Sequence, residues 1–291
     1  MIIFLNGKYC DADEARISLF DGGYLYGDGM FETIRLYAGR PFDLSGHLER
    51  LGRNLEALGY AYRPSPRELA DVIAQLVRRN GLDGRDARGR LTVSRGGGPG
   101  DPLPLTDHGS LQPTVSVFLQ PLDPALARWQ RDGIGVLSMR AGFQRGDFPH
   151  LKTLNYLTTV TALRLAHAAG CQEALLVDGE NRVLEGATSN VFVVAGGTLL
   201  TPPLELGLLA GRTRDMVLAH ANAAGLSCRE APLTIRDLCA ADEAFLCGSV
   251  KEIVPVVAVD GSPVGDGTPG PVTRRLQKEY RRGVEDALGG I

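Results

Sequence analysis

Lysine is scarce in this chain. Of its 31 basic residues only Lys8, Lys152, Lys251 and Lys278 are lysine; the rest are arginine. Cysteine is sparse as well. Cys10, Cys171, Cys228, Cys239 and Cys247 are scattered, odd in number and form no C-x-x-C pair. That pattern argues against a disulfide framework and against a cysteine-based metal site, and it points to a reducing, cytoplasmic setting. Charge of one sign is also missing. A formal net charge of −3 leaves no basic footprint for nucleic acid or an anionic membrane. No apolar run reaches the ~20 residues of a membrane span. The opening Met-Ile-Ile-Phe-Leu run is too short for a signal peptide and meets a polar turn at once.

What is present is ordinary globular material. The chain has 291 residues, 44% hydrophobic and 22% charged, enough for one large or two medium domains. Ile2 to Leu5 reads as a strand closed by the tight turn Asn6-Gly7. A second strand is expected over 31–37. Leu44, Leu48, Leu51, Leu55 and Leu58 share one face of a helix, and a second amphipathic helix is expected over 68–80, closed by Gly81. Strands are expected over 89–94 and 114–119. Beyond these, strands and helices alternate: strands over 134–139, 173–177, 190–194, 244–246 and 254–259, and helices over 151–169, 213–224 and from Pro271 onward. The run Arg274, Arg275, Lys278, Arg281 and Arg282 in the last helix reads as a solvated face. The mixture implies an α+β (mixed α/β) protein in two parts: a small N-terminal domain over 1–120, a linker over 121–132 and a larger domain over 133–291.

Lys152 stands in Phe-Pro-His-Leu-Lys-Thr-Leu-Asn-Tyr-Leu, at the mouth of an apolar run. Its stem could simply follow a core edge. A partly desolvated lysine can also become a nucleophilic amine and form a Schiff base, which arginine cannot do. Further polar elements lie elsewhere. Gly27-Asp28-Gly29-Met30-Phe31-Glu32-Thr33-Ile34-Arg35 lacks the third glycine of a dinucleotide loop and leads into a strand. His47-Leu48-Glu49-Arg50-Leu51 sets an arginine beside an apolar stripe, where it could equally be a surface residue. Leu184-Glu185-Gly186-Ala187-Thr188-Ser189-Asn190 places a carboxylate before a turn of small residues. Gly211-Arg212-Thr213-Arg214 opens a helix, whose N-terminal N–H groups can hold an anion. Cys247-Gly248-Ser249-Val250-Lys251-Glu252 is a second small, hydroxyl-bearing turn. An amine, a carboxylate, an arginine and two such turns are the set that pyridoxal 5′-phosphate (PLP) chemistry needs.

This ordered set resembles the class IV aminotransferases, the fold-type IV PLP enzymes. The family includes branched-chain aminotransferases, D-amino-acid aminotransferases and 4-amino-4-deoxychorismate lyases. The resemblance runs from about Asn6 to the C-terminal helix. It implies a two-domain fold with Lys152 as the Schiff-base lysine and proton shuttle. Glu185 then partners the pyridinium nitrogen, and Tyr156 bonds the ring hydroxyl. Arg50, Arg212, Thr213 and Ser249 bind the phosphate end. Tyr26, Phe31, Arg35, Arg90 and Val250 line the substrate pocket, with Tyr26 reaching a neighbouring subunit's site in a homodimer. Arg212 departs from the small aliphatic residue usual before Thr213, and its backbone N–H would still serve. The loop around Gly100 lacks the carboxylate trap of typical D-specific enzymes. The expected reaction is ping-pong transfer of an amino group between an amino acid, branched-chain-like or D, and a 2-oxo acid such as 2-oxoglutarate. The alternative is a lyase releasing pyruvate and 4-aminobenzoate.

Overall fold

The structure, a computed structural model, describes residues 1–98, 112–139 and 148–289. The loop position of Gly100 lies outside the described residues. The chain divides into two compact units: Met1–Leu122 with Leu151–Asn155 and Ala287–Ile291, and Asp123–His150 with Tyr156–Asp286.

In the first unit, β1 (Ile2–Leu5) and β2 (Lys8–Asp11) form the expected hairpin. Asn6 and Gly7 both take positive φ, 47° and 83°, which the two-residue turn demands. Next come α1 (Gly22–Tyr26), β3 (Gly29–Tyr37), β4 (Arg40–Pro41), α2 (Leu44–Ala57), α3 (Pro66–Arg79), β5 (Ala87–Ser94) and β6 (Thr114–Pro121). The sheet order is β2-β1-β6-β5-β3-β4. Ser65 caps α3 by accepting from Glu68 N, with Pro66 in the first turn. Leu48, Leu51 and Leu55 of α2 and Leu69, Ile73 and Leu76 of α3 bury against Met30, Leu36, Leu91 and Val117 of the sheet. This core holds one face of β3 and β5 against the helices.

The second unit carries α4 (Leu126–Asp132), β7 (Ile134–Met139), α5 (Leu157–Ala168), β8 (Glu173–Val177), β9 (Arg182–Gly186), β10 (Asn190–Ala195) and β11 (Thr198–Thr201). It continues with α6 (Arg212–Ala223), β12 (Ser227–Glu230), β13 (Leu233–Thr234), α7 (Ile235–Ala240), β14 (Glu243–Gly248), β15 (Glu252–Val259), β16 (Ser262–Pro263) and α8 (Pro271–Ala287). Its sheet runs β12-β11-β10-β14-β15-β7-β8-β9-β13, with β16 beside β15. Strands β8, β10 and β14 are buried almost throughout, which explains their continuous apolar runs. Ala162 and Ala166 let α5 settle on Ala174 and Leu176 of β8. The basic run of α8 is exposed, as expected.

One expectation fails. Residues 151–156 are not helical, and α5 begins only at Leu157. Lys152 O accepts from Phe31 N at 3.0 Å, and Leu154 N donates to Gly29 O at 2.9 Å. The backbone of 152–154 is thus spent on β3 and is not available for helical bonding.

Candidate active site

In the first unit the site is built on β3. Side chains alternate along a strand, so Phe31, Thr33 and Arg35 share one face while Glu32 and Ile34 share the other. Arg90 of β5 sits opposite Thr33, on the face of Phe31. Its guanidinium lies 3.7 Å from the centre of the Phe31 ring, and Lys152 Nζ lies 4.5 Å from the same centre. Arg90 also donates to Thr92 Oγ1 at 3.2 Å. Arg35, buried on the same face, pairs with Asp86 at 2.8 Å. The segment holding Lys152 needs the motif's glycines. A Cβ at Gly29 would stand 2.5 Å from Leu154 Cδ1, and one at Gly27 would stand 2.2 Å from Asn155 Oδ1. These glycines permit close backbone approach.

On the helix side of β3, Glu32 is fully buried. It accepts from Arg50 Nε at 2.8 Å and Arg50 Nη2 at 2.6 Å, and His47 Nδ1 donates to it at 2.7 Å. Burial alone would raise the Glu32 pKa; the charge of Arg50, then the His47 contacts, bring it down to about 2. Arg50 is therefore a buried residue, not a surface one. His47, Arg50 and Asn54 form a polar stripe at helical spacing beside the leucines of α2. With its amide turned to suit both neighbours, Asn54 donates to Arg50 O at 3.3 Å and accepts from Lys152 N at 3.2 Å. Sequence reasoning missed Asn54; the available signal was its place one turn beyond Arg50. Tyr26 ends α1 and is exposed beside Tyr24 and Leu25.

In the second unit the polar groups gather at one end of the sheet. Glu185 is buried near the end of β9 and accepts from Asn190 Nδ2 and Leu209 N, both at 3.3 Å. Asn190 Nδ2 also donates to Leu209 O at 3.0 Å. Gly211 precedes α6, and a Cβ there would lie 1.9 Å from Asn190 Oδ1. The start of α6, with Arg212 and buried Thr213, is thereby packed on Asn190. Gly211 at the N-cap of α6 makes no side-chain cap bond, and the N-terminus of a helix suits an anion. Arg212 reaches Asp215 at 4.0 Å. Strands β10 and β14 pair at Asn190 and Cys247, which sets the turn carrying Ser249 and Val250 beside the turn at 187–189. Ser189 Oγ is buried with no hydrogen-bond partner among the described residues. Tyr156 is half-buried just before α5. Sequence reasoning passed over Asn190 and Ser189, although both lie inside the motif that named Glu185.

Comparison with known proteins agrees with this chemistry. The family model "Amino-transferase class IV" matches residues 29–259. A protein of Methanocaldococcus jannaschii named "Putative branched-chain-amino-acid aminotransferase" is 39% identical, covering 97% of this chain and 96% of its own. The aminodeoxychorismate lyase of Bacillus subtilis is 34% identical, covering 99% and 96%. The crystal structure of a T.th. branched-chain amino acid aminotransferase with pyridoxamine 5′-phosphate superposes with a TM-score of 0.83. It shares 30% identity and covers 99% of this chain and 94% of that one. The chain belongs to the class IV aminotransferase family. It is a PLP-dependent transaminase with the fold-type IV architecture. The residues present fit the cofactor. A buried carboxylate suits a protonated ring nitrogen, the N-terminus of α6 behind Gly211 suits a phosphate, and the buried Ser189 hydroxyl has no hydrogen-bond partner among the described residues.

Proposed function

We propose that this transaminase moves an amino group between a branched-chain-like amino acid and 2-oxoglutarate, with Lys152 as its catalytic residue. The observation that carries this reading is the Phe31 ring, which has the Arg90 guanidinium at 3.7 Å and Lys152 Nζ at 4.5 Å. An aromatic ring packs an aliphatic side chain, while a guanidinium pairs with the distal carboxylate of glutamate or 2-oxoglutarate. One pocket then serves both substrates of a ping-pong cycle.

PLP supplies an aldehyde for the substrate nitrogen and an electron-withdrawing ring. Lys152 Nζ would take the proton from the substrate Cα and pass it to the carbon of the cofactor aldehyde, and the second half of the cycle would run that transfer in reverse. Glu185 keeps the ring nitrogen protonated, with its own position fixed by Asn190 and Leu209 N. Tyr156 bonds the ring hydroxyl. Arg50, the N–H groups of Arg212 and Thr213, the Thr213 hydroxyl and the turn at Ser249 hold the phosphate. Tyr26, Phe31, Arg35, Arg90 and Val250 surround the substrate.

The assembly proposed is a homodimer in which Tyr26 serves the neighbouring subunit. Supporting it, Ile17, Leu19, Phe20, Tyr24, Leu25 and Tyr26 are all exposed within ten residues of chain. The compartment proposed is the cytoplasm; five free cysteines support a reducing one.

The test is the visible spectrum of the PLP-loaded protein during titration with L-leucine, then D-alanine. Conversion to the pyridoxamine form by L-leucine alone is expected. Conversion by D-alanine alone overturns the substrate reading. A second reading, aminodeoxychorismate lyase, is favoured by the 34% identity to the Bacillus subtilis enzyme. It requires 4-aminobenzoate and pyruvate from 4-amino-4-deoxychorismate, and an unmoved band with both amino acids.

A further inference from the structure

Lys251 lies in the turn between β14 and β15, and its amine is turned inward. It donates to the carboxylate of Glu173 at the start of β8, and to Thr188 Oγ1 at 2.8 Å. Thr188 Oγ1 in turn donates to Glu173 Oε2 at 2.8 Å. The hydroxyl thus accepts once and donates once, and the three groups close a ring of contacts. Glu173 is 0% exposed and the Lys251 side chain only 18%. The other Glu173 oxygen accepts from Ala174 N at 3.2 Å. The backbone of the same turn is fixed as well, because Lys251 O accepts from Gln130 Nε2 at 2.9 Å. Thr188 belongs to the turn that follows Glu185, and a Cβ on Gly248 would touch Thr188 O at 3.4 Å. One amine therefore ties two neighbouring turns to each other and to a buried strand.

We propose that Lys251 is a positioning residue for PLP. Through Glu173 and Thr188 it fixes the Ser249–Val250 turn against the turn carrying Ser189, so that the phosphate-binding donors are ordered before the cofactor arrives. This rests on the reading of Ser249 as a phosphate contact. The physical case has two parts. A hairpin tip left free must be ordered by its ligand, and that ordering weakens binding. A buried ion pair, by contrast, contributes little net stability over apolar residues of the same size, yet it fixes the geometry of the groups it joins. Lys251 is compensated by Glu173, so its effect on the cofactor runs through the turn and not through free charge.

The experiment measures PLP affinity by titrating the apoprotein, alongside the apoprotein's melting temperature. The variant is the double substitution Lys251→Met/Glu173→Gln, which removes both charges together. Thr188→Val is run in parallel, because it deletes only the shared hydroxyl. Ser249→Ala reports on the turn itself, and Lys251→Arg restores the cation. The expected result is a Kd for PLP raised tenfold or more in the double variant and at least threefold in Thr188→Val. Lys251→Arg is expected to stay within threefold of the unchanged protein. If Ser249→Ala weakens PLP while the double variant and Thr188→Val stay within twofold, the brace does not position the cofactor and the inference is overturned. If Ser249→Ala also leaves Kd unchanged, the Ser249 hydroxyl does not bind the phosphate, and an unmoved Kd in the double variant and in Thr188→Val still overturns the brace. A drop in apoprotein melting temperature with Kd unmoved assigns the trio to stability alone and equally overturns the proposal.

Discussion

The carboxylate of Glu32 and the guanidinium of Arg50 meet in a two-point ion pair, at 2.8 and 2.6 Å, with Glu32 wholly excluded from water. A fork of this kind fixes both the position and the plane of the arginine. Removing the carboxylate leaves a buried cation with its main partner gone. Glu32→Gln is expected to cost about 3–5 kcal/mol of folding stability. Urea unfolding of the variant beside the unchanged protein reads this directly; a loss below about 1 kcal/mol would show the pair to be dispensable.

The same carboxyl predicts an acid limit. Burial would raise its pKa, but Arg50 and then His47 hold it near 2, against 4.5 for a free glutamate. A depressed folded-state value means stability is fully present above about pH 4.5 and is lost as pH falls toward 2. Melting temperatures between pH 6 and pH 2 should fall in that window, and the fall should be shallower in Glu32→Gln. Equal slopes in the two proteins would assign acid sensitivity to other groups.

Lys152→Ala should fold normally, because the backbone of 152–154, and not the side chain, pairs with β3. Turnover is expected to fall by about 10²–10⁴-fold with the loss of the proton shuttle. Lys152→Arg should fail to rescue, since a guanidinium does not lose its proton near neutrality. Steady-state kinetics with circular dichroism separates lost chemistry from lost fold; substantial turnover in either variant removes Lys152 from the mechanism.

Arg90→Met keeps the bulk beside Phe31 and removes the charge. The KM for L-glutamate or 2-oxoglutarate should rise about tenfold, while that for L-leucine changes little. A parallel rise for both substrates would mean that Arg90 supports the pocket wall without reading the distal carboxylate.

Local pattern carried much of the architecture. The leucine spacing of α2, the capped and glycine-closed α3 and the Asn6-Gly7 turn all follow rules that act within a few residues, and they appear where those rules put them. The segment around Lys152 breaks the pattern for a non-local reason. Its apolar residues suit a helix, but β3, more than a hundred residues earlier in the chain, offers a free edge that captures its backbone. Short elements such as α1, α4 and α7 gave no periodic signal, since one or two turns are too few to show a period. Of the candidate site, the contiguous motifs made legible that Glu185 precedes a turn of small residues and that Thr213 opens a helix. It was not legible at Asn54, whose role depends on the amide meeting Lys152, or at Glu173, which lies 78 residues from the lysine it holds.

Asn190 answers three demands with one amide: it donates to Glu185 and to Leu209 O, and its oxygen lies where a Cβ on Gly211 would collide. Exchange of that amide for an acid, by mutation or by spontaneous hydrolysis of the side chain, would leave the packing volume nearly unchanged. It would, however, set a second buried carboxyl against Glu185, which favours one shared proton over two charges. Chemical ageing at this one position would therefore change the charge of the buried carboxylate that the proposed function assigns to the ring nitrogen.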